Sequence, residues 1–159
     1  MLRGRCACKA VGYGIPDEFV TAYMCHCSNC RALTGSAFLP VGRIEREKLT
    51  VTKGAESLLV DGDPDAAYEV RCAKCFSLLY WTSGDDCFGV AYGTLIDEPT
   101  LKPAYHIFVG SKARWYEIHD DLPQHDERPI HRGSRDRKRA PAVDAGGEVE
   151  RNPETARPE

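Results

Sequence analysis

The sequence predicts a mainly β protein, a single domain organised around clustered cysteines. Three observations predict it. Short segments rich in Val, Leu, Tyr and Phe follow one another from residue 11 to about 118, punctuated by Gly, Pro and Asp. No stretch of a dozen residues carries a clear helical period. Seven of the eight cysteines fall into tight clusters, a C-x-C at Cys6 and Cys8, a C-x-C-x-x-C at Cys25, Cys27 and Cys30, and a C-x-x-C at Cys72 and Cys75. A chain of 159 residues suffices for one domain with one core.

The expected strands are EFVTAYMC (18–25), SAFLPVGR (36–43), KLTVT (48–52), SLLV (57–60), AYEVRC (67–72), SLLYW (77–81), CFGVAYG (87–93) and YHIFVG (105–110). Each is too short for a helix and rich in residues that suit a pleated, half-buried surface. The cysteine clusters sit where these strands end or turn, as in metal knuckles. CSNCRALTG (27–35) is expected to form one helical turn after its knuckle.

The character changes near residue 126. Residues 126–159 contain no aromatic side chain, and Arg, Asp, Glu, Pro, Ala and Gly dominate. Such a segment buries too little apolar surface to offset ordering entropy. The expected organisation is a domain over residues 1–125 and a disordered charged tail over 126–159. The locally basic HRGSRDRKRAP (131–141) reads as solvated tail, with a tether for an acidic partner or RNA as the sharper alternative.

Composition bounds the function. Hydrophobic residues make up 42% and charged residues 28%, and 21 Lys+Arg against 24 Asp+Glu give a net charge of −3. That balance argues against a dedicated nucleic-acid binder, which carries a basic face. No apolar run approaches the roughly 18 residues of a membrane span. MLRGRCACKAV at the N-terminus lacks the apolar stretch of a secretory signal. The default location is therefore cytoplasmic, where thiols stay reduced.

In that setting clustered cysteines point to a metal rather than to disulfides, because one turn presents two sulfurs to one ion. Seven thiols divide into four plus three, and spacing permits two divisions. One joins Cys27 and Cys30 to Cys72 and Cys75, leaving Cys6, Cys8 and Cys25. The other joins Cys6 and Cys8 to Cys72 and Cys75, leaving the contiguous Cys25, Cys27 and Cys30. The second ties the N-terminus into the sheet and is physically tidier, but spacing alone leaves both open.

Five motifs in order carry a resemblance. They are GRCACKAVGY (4–13), CHCSNCRALTGSAF (25–38), RCAKCFSLLY (71–80), YGTLIDEP (92–99) and KPAYHIFVGSKARWYEIHDDLPQHDERP (102–129). Together they resemble the glutathione-dependent formaldehyde-activating enzyme family, which also includes the centromere protein V domain. The resemblance implies coiled antiparallel sheets with zinc knuckles, a fold shared with a small-GTPase-binding chaperone. It implies the second division, with two Zn²⁺ per chain. Cys6, Cys8, Cys72 and Cys75 would hold a closed structural zinc. Cys25, Cys27 and Cys30 would hold a catalytic zinc with one position open. The glycines usual after the two outer knuckles are replaced by Lys9 and Phe76. Glycine is favoured there because the backbone turns with φ > 0.

The implied activity is that of a carbon–sulfur lyase, adding a small thiol such as glutathione to formaldehyde or a related small electrophile. The alternative is a non-catalytic zinc module that carries a thiol or binds a protein. Three thiolates leave zinc net negative and soft, which suits an incoming thiolate. The zinc deaminases, another three-ligand class, need H-x-E and P-C-x-x-C. Here Cys27 and Ser28 follow His26, and Arg71 precedes Cys72. Among other candidates, the His26 ring is expected to point away from the ion, solvent-facing or hydrogen-bonded, with substrate contact or a role as a swapped ligand as the second reading. His106 reads as a satisfied core or pocket-wall histidine. Lys112 and Trp115 read as contacts for a glutathione-like tripeptide, or else as a surface lysine and a packed tryptophan. Cys87 reads as a buried strand cysteine. The sequence carries no signal for the oligomeric state.

Overall fold

The computed structural model describes residues 1–129. Among these are β1 (Leu2–Arg5), β2 (Gly12–Ile15), β3 (Thr21–Cys25), α1 (Ser28–Thr34), β4 (Leu39–Glu45), β5 (Thr50–Lys53), β6 (Leu58–Gly62), β7 (Ala67–Cys72), β8 (Leu78–Ser83), β9 (Cys87–Ala91), β10 (His106–Ile107) and β11 (Gln124–His125). β1, β2 and β5 form one sheet, and the other eight strands form a second in the order β11-β10-β3-β4-β9-β8-β7-β6. All eight expected strands are present, the later ones shortened. No described helix is long and apolar enough to cross a membrane.

β1, β2 and β11 lie outside the expected set. Leu2–Arg5 alternates buried and solvent-facing side chains, with arginines outward. Its position is fixed from outside: Arg3 bonds both oxygens of Asp97, at 2.9 and 2.7 Å, and Gly4 bridges to Leu95. The sheets are antiparallel apart from β10. That two-residue strand runs parallel to β3 on one side and to β11 on the other. It brings a segment from the end of the domain against the strand that carries Cys25.

The apolar side chains gather in two cores, and each holds one cysteine cluster. Leu2, Val11, Tyr13, Ile15, Ile44, Val70, Leu79 and Val90 pack in the first, with Cys6 and Cys72 among them. Tyr23, Leu39, Val41, Leu78, Ala91 and Ile107 form the second with Cys25, and Cys27, Cys30 and Leu33 pack on its edge. Burial in the cores drives the sheets together.

The compact unit spans Met1–Pro129, four residues beyond the expected boundary after His125. Arg128 accounts for part of the difference, since its Nη2 donates to Tyr23 Oη at 3.1 Å and its guanidinium lies 5.7 Å from that ring's centre. The rest of the expected tail, residues 130–159, lies outside the described residues.

Candidate metal centres

Two groups of thiols converge: Cys6, Cys8, Cys72 and Cys75, and separately Cys25, Cys27 and Cys30, with the sulfurs of each group within 4.8 Å of one another. This grouping is the second of the two divisions that spacing allows. All eight cysteines are free thiols.

The first group is assembled by two matching turns. After β1, Lys9 N–H donates to Cys6 O at 3.1 Å; after β7, Phe76 N–H donates to Cys72 O at 2.8 Å. Lys9 and Phe76 have φ of +64° and +57°, the left-handed conformation that glycine ordinarily takes. Val11 N–H donates to Cys6 Sγ at 3.2 Å, and Ser77 Oγ lies 3.2 Å from Cys75 Sγ. Ser77 also accepts from Ala7 N–H, at 3.1 Å, and so joins the two turns. A tetrahedral zinc with Zn–S bonds of about 2.3 Å holds its sulfurs roughly 3.8 Å apart. Cys6 and Cys8 sulfurs lie 3.5 Å apart, and Cys8 and Cys72 sulfurs 3.8 Å apart. The donor set and its dimensions fit that ion.

Crowding divides the protons among these thiols unequally. Cys75 is drawn down to about 5, chiefly by its bond with Ser77 and by nearby backbone N–H groups. Cys8 is pushed up to about 11: a backbone bond at Ala10 opposes the rise, and the Cys75, Cys6 and Cys72 sulfurs with burial outweigh it.

The strained turns carry a prediction. A left-handed non-glycine residue costs about 1–2 kcal/mol, and the Phe76 side chain recovers little of it at 64% exposure. Phe76→Gly is expected to stabilise the domain by about 1 kcal/mol, a melting temperature higher by about 3 °C. A lower melting temperature would mean that the phenyl ring contributes packing that outweighs the strain.

The second group lies on one loop. Cys25 ends β3, and Cys27 is the N-cap of α1, its sulfur accepting from Cys30 N–H at 3.4 Å. Gly35 ends the helix in the left-handed conformation, its N–H bonded to Arg31 O. The expected single turn is thus a seven-residue helix. Cys25 is buried, while Cys27 and Cys30 are half-buried. Three sulfurs with two partly open to solvent leave one side of the group uncovered. Cys25 is drawn down to about 6, first by the Cys30 thiol and then by a backbone bond at Cys27, against burial; the Arg128 charge adds to this. Cys30 is pushed strongly up, by Cys25 first and then by burial. The Cys25 thiolate is thus favoured chiefly by the Cys30 thiol.

His26, between two of these cysteines, is wholly buried and turned away from solvent. Its Nε2 lies 2.8 Å from His106 Nδ1, and His106 Nε2 lies 3.0 Å from Asp120 Oδ1. His106 is likewise wholly buried. Burial first, then the neighbouring His106 and Lys112, hold the His26 imidazole down to about 4 against the opposing contact of the Ala37 backbone, so the ring is neutral. Phe38 and Tyr116 pack against it, with ring centres 5.5 and 6.0 Å away. Lys112 Nζ is bonded to Tyr116 O, and Trp115 is 74% exposed rather than packed. Cys87, at the start of β9, is half-buried rather than buried.

Sequence reasoning missed Asp120 and Arg128. Each reaches its partner across 14 and 105 positions, and only the placement of β10 and β11 beside β3 brings them there. No local signal marks either residue.

The sequence matches the glutathione-dependent formaldehyde-activating enzyme family over residues 1–111. The last of the five resembling stretches therefore falls mostly beyond the matched span. Among solved structures, the chain is similar to the crystal structure of a Rhodobacter sphaeroides protein studied as a structural genomics target. The two are 24% identical, the match covers 62% of this chain and 91% of that one, and the TM-score is 0.50. The comparison with curated proteins gave no match. With its family match extending over more than half its length and both thiol groups assembled, the chain belongs to the glutathione-dependent formaldehyde-activating enzyme family.

Proposed function

We propose that this protein is a zinc-dependent carbon–sulfur lyase-type enzyme that adds a glutathione-like thiol to formaldehyde or a related small electrophile. The observation that carries the reading is the inequality of the two thiol groups. Four converging sulfurs close a tetrahedral site, and three on a single loop, two of them on half-buried residues, do not. A scaffold has no use for the open position. Cys6, Cys8, Cys72 and Cys75 would hold a structural zinc, and Cys25, Cys27 and Cys30 a catalytic one.

Zinc held by these three cysteines would supply a soft Lewis acid able to accept a further thiol as its thiolate at neutral pH. The chain's own residues do the rest. Cys25, Cys27 and Cys30 set the charge and face of the site. Arg128, near enough for its charge to stabilise the Cys25 thiolate, offsets part of the negative charge there. An open groove of about 510 Å³ lies beside α1, with Leu33, Tyr68, Trp81 and the Glu69–Arg71 ion pair on its walls and none of the three cysteines among its lining residues. In the addition, the thiol sulfur bonds to the aldehyde carbon. The carbonyl π pair moves to oxygen, which takes a proton from solvent. Positioning accounts for most of the acceleration of so facile a step. The free thiols suit the reducing cytoplasm.

With cobalt in place of zinc, glutathione is expected to change the sulfur-to-metal charge-transfer bands. The change should vanish in Cys30→Ser, and S-methylglutathione, which has no thiolate to offer, should not produce it. Constant spectra with any thiol up to about 1 mM, the upper end of ordinary substrate affinities, would favour a protein-binding module instead.

A further inference from the structure

Asp120, His106 and His26 form a hydrogen-bonded chain that ends in the loop carrying the three thiols. The Asp120 carboxylate oxygens lie 3.0 and 3.2 Å from His106 Nε2, and His106 Nδ1 lies 2.8 Å from His26 Nε2. A carboxylate only accepts, so His106 Nε2 carries the proton. In a neutral ring His106 Nδ1 is then the acceptor, and His26 Nε2 donates to it. For neutral rings that leaves His26 Nδ1 as a lone pair; it makes no hydrogen bond of good geometry, and the Ala37 backbone is the polar group beside the ring.

His26 is also the single residue that links Cys25 to Cys27. Its N–H donates to Ile107 O at 3.0 Å and its carbonyl accepts from Arg31 Nε at 3.3 Å. The ring's bond to His106 is a third point of attachment. With all three in place, the peptides on either side of His26 are held from three points, and with them the Cα–Cβ directions of Cys25 and Cys27. Loss of the ring bond frees that link to turn, since a buried imidazole with a wrong tautomer sets one lone pair against another across the His26–His106 gap.

We propose that Asp120 is a positioning residue for the three-thiol centre. Acting through His106 and His26, it holds Cys25 and Cys27 in register before the metal arrives. The inference rests on reading that cluster as a metal centre. Partners of this kind are worth about 10–100-fold in metal affinity where they orient ligands directly. Acting here at one remove, Asp120→Ala is expected to lower the cobalt affinity of the three-thiol site about tenfold, with the four-thiol site unchanged.

Asp120 Oδ1 also accepts from Leu122 N–H at 3.0 Å, so two further variants separate the roles. Asp120→Ser keeps a short cap for Leu122 but withdraws the acceptor from His106, and should weaken the site as Ala does. Asp120→Asn keeps an oxygen in place, and should restore most of the affinity. The measurement is competition for cobalt against a chromophoric chelator on the full chain, with ring ¹⁵N spectra of the histidines alongside. Wild type should show Nε2–H at both His26 and His106, and Asp120→Ala a mixture of tautomers. Unchanged three-thiol affinity in Asp120→Ala, equal loss at both sites, or Nδ1–H at His106 in wild type would each overturn the inference alone. A wild-type triplet that takes up no metal would overturn the metal-centre reading and the inference together.

Discussion

Replacing Cys72 by serine is expected to abolish the cooperative melt of the domain. Cys72 is wholly buried in the first core, and its sulfur sits with three others that join β1 to the end of β7. Structural zinc sites contribute about 10–16 kcal/mol of apparent binding free energy in small domains, while whole domains are stable by only about 5–15 kcal/mol. Even a partial loss of that contribution exceeds the net stability. Cys27→Ser should behave differently. Its sulfur is half-buried on a single loop, and the second core closes around Tyr23, Val41 and Ile107 without it. The expected outcome is a folded protein with one metal fewer. Thermal melts followed by circular dichroism, with elemental analysis of each variant, check the pair. Equal damage from both would mean that the proposed division between a structural and a catalytic centre is wrong.

Gly54→Ala is expected to lower stability by about 2–5 kcal/mol. Gly54 has φ of +72°, and a Cβ there would stand 2.1 Å from Ala10 O, 2.9 Å from Ala10 C and 3.2 Å from Val11 Cα. All three are backbone atoms, so no side-chain rotation relieves the contact. The left-handed conformation contributes about 1–2 kcal/mol and the overpacking about 1–3 kcal/mol. Ala10 and Val11 follow the first knuckle, and Val11 is bonded to Cys6 through both N–H and C=O. The displacement should therefore reach the four-thiol centre and weaken its metal as well. Gly35→Ala is the control: its φ is +62°, and nothing lies within 4 Å of the added carbon. Denaturant titration of both variants isolates the clash. Equal losses would show that Ala10 gives way freely.

Much of this structure is legible in the sequence because the relevant signals are local. The strands of the larger sheet, β11 excepted, lie in segments that announce themselves by composition. Lys9 and Phe76 mark the left-handed positions of the knuckles even though neither is glycine, because the flanking cysteines fix where the chain must turn. The triplet Cys25, Cys27 and Cys30 is contiguous and needs no fold to be noticed. β1 is missed because four residues with outward arginines have no strand signature of their own; β2, Leu95 and Asp97 hold it. The parallel insertion of β10 is invisible for a related reason. Two residues cannot encode a register; His106 is set beside Met24 because Tyr105 O accepts from Met24 N–H, Ile107 O from His26 N–H, and Pro123 O from His106 N–H. Everything that depends on that insertion, including Asp120, follows it out of reach of sequence reading.

The two thiol groups differ in how far apart their members lie along the chain, and this bears on the order in which the protein is assembled. Cys25, Cys27 and Cys30 emerge together and can meet a metal while the rest of the chain is still being made. Cys8 and Cys72 are 64 positions apart, so the other centre waits for a long loop to close. At about 5–20 residues per second, the interval between Cys30 and Cys75 leaving the ribosome is about 2–9 s. During it a metal would find the triplet complete, with Cys6 and Cys8 still a half-site. On the proposed reading, metal bound early at the triplet would also shield its sulfurs from oxidation while β10, which pairs with β3, is still missing. The local site would then be loaded first and finished last, and the distant one loaded and finished in a single closing step.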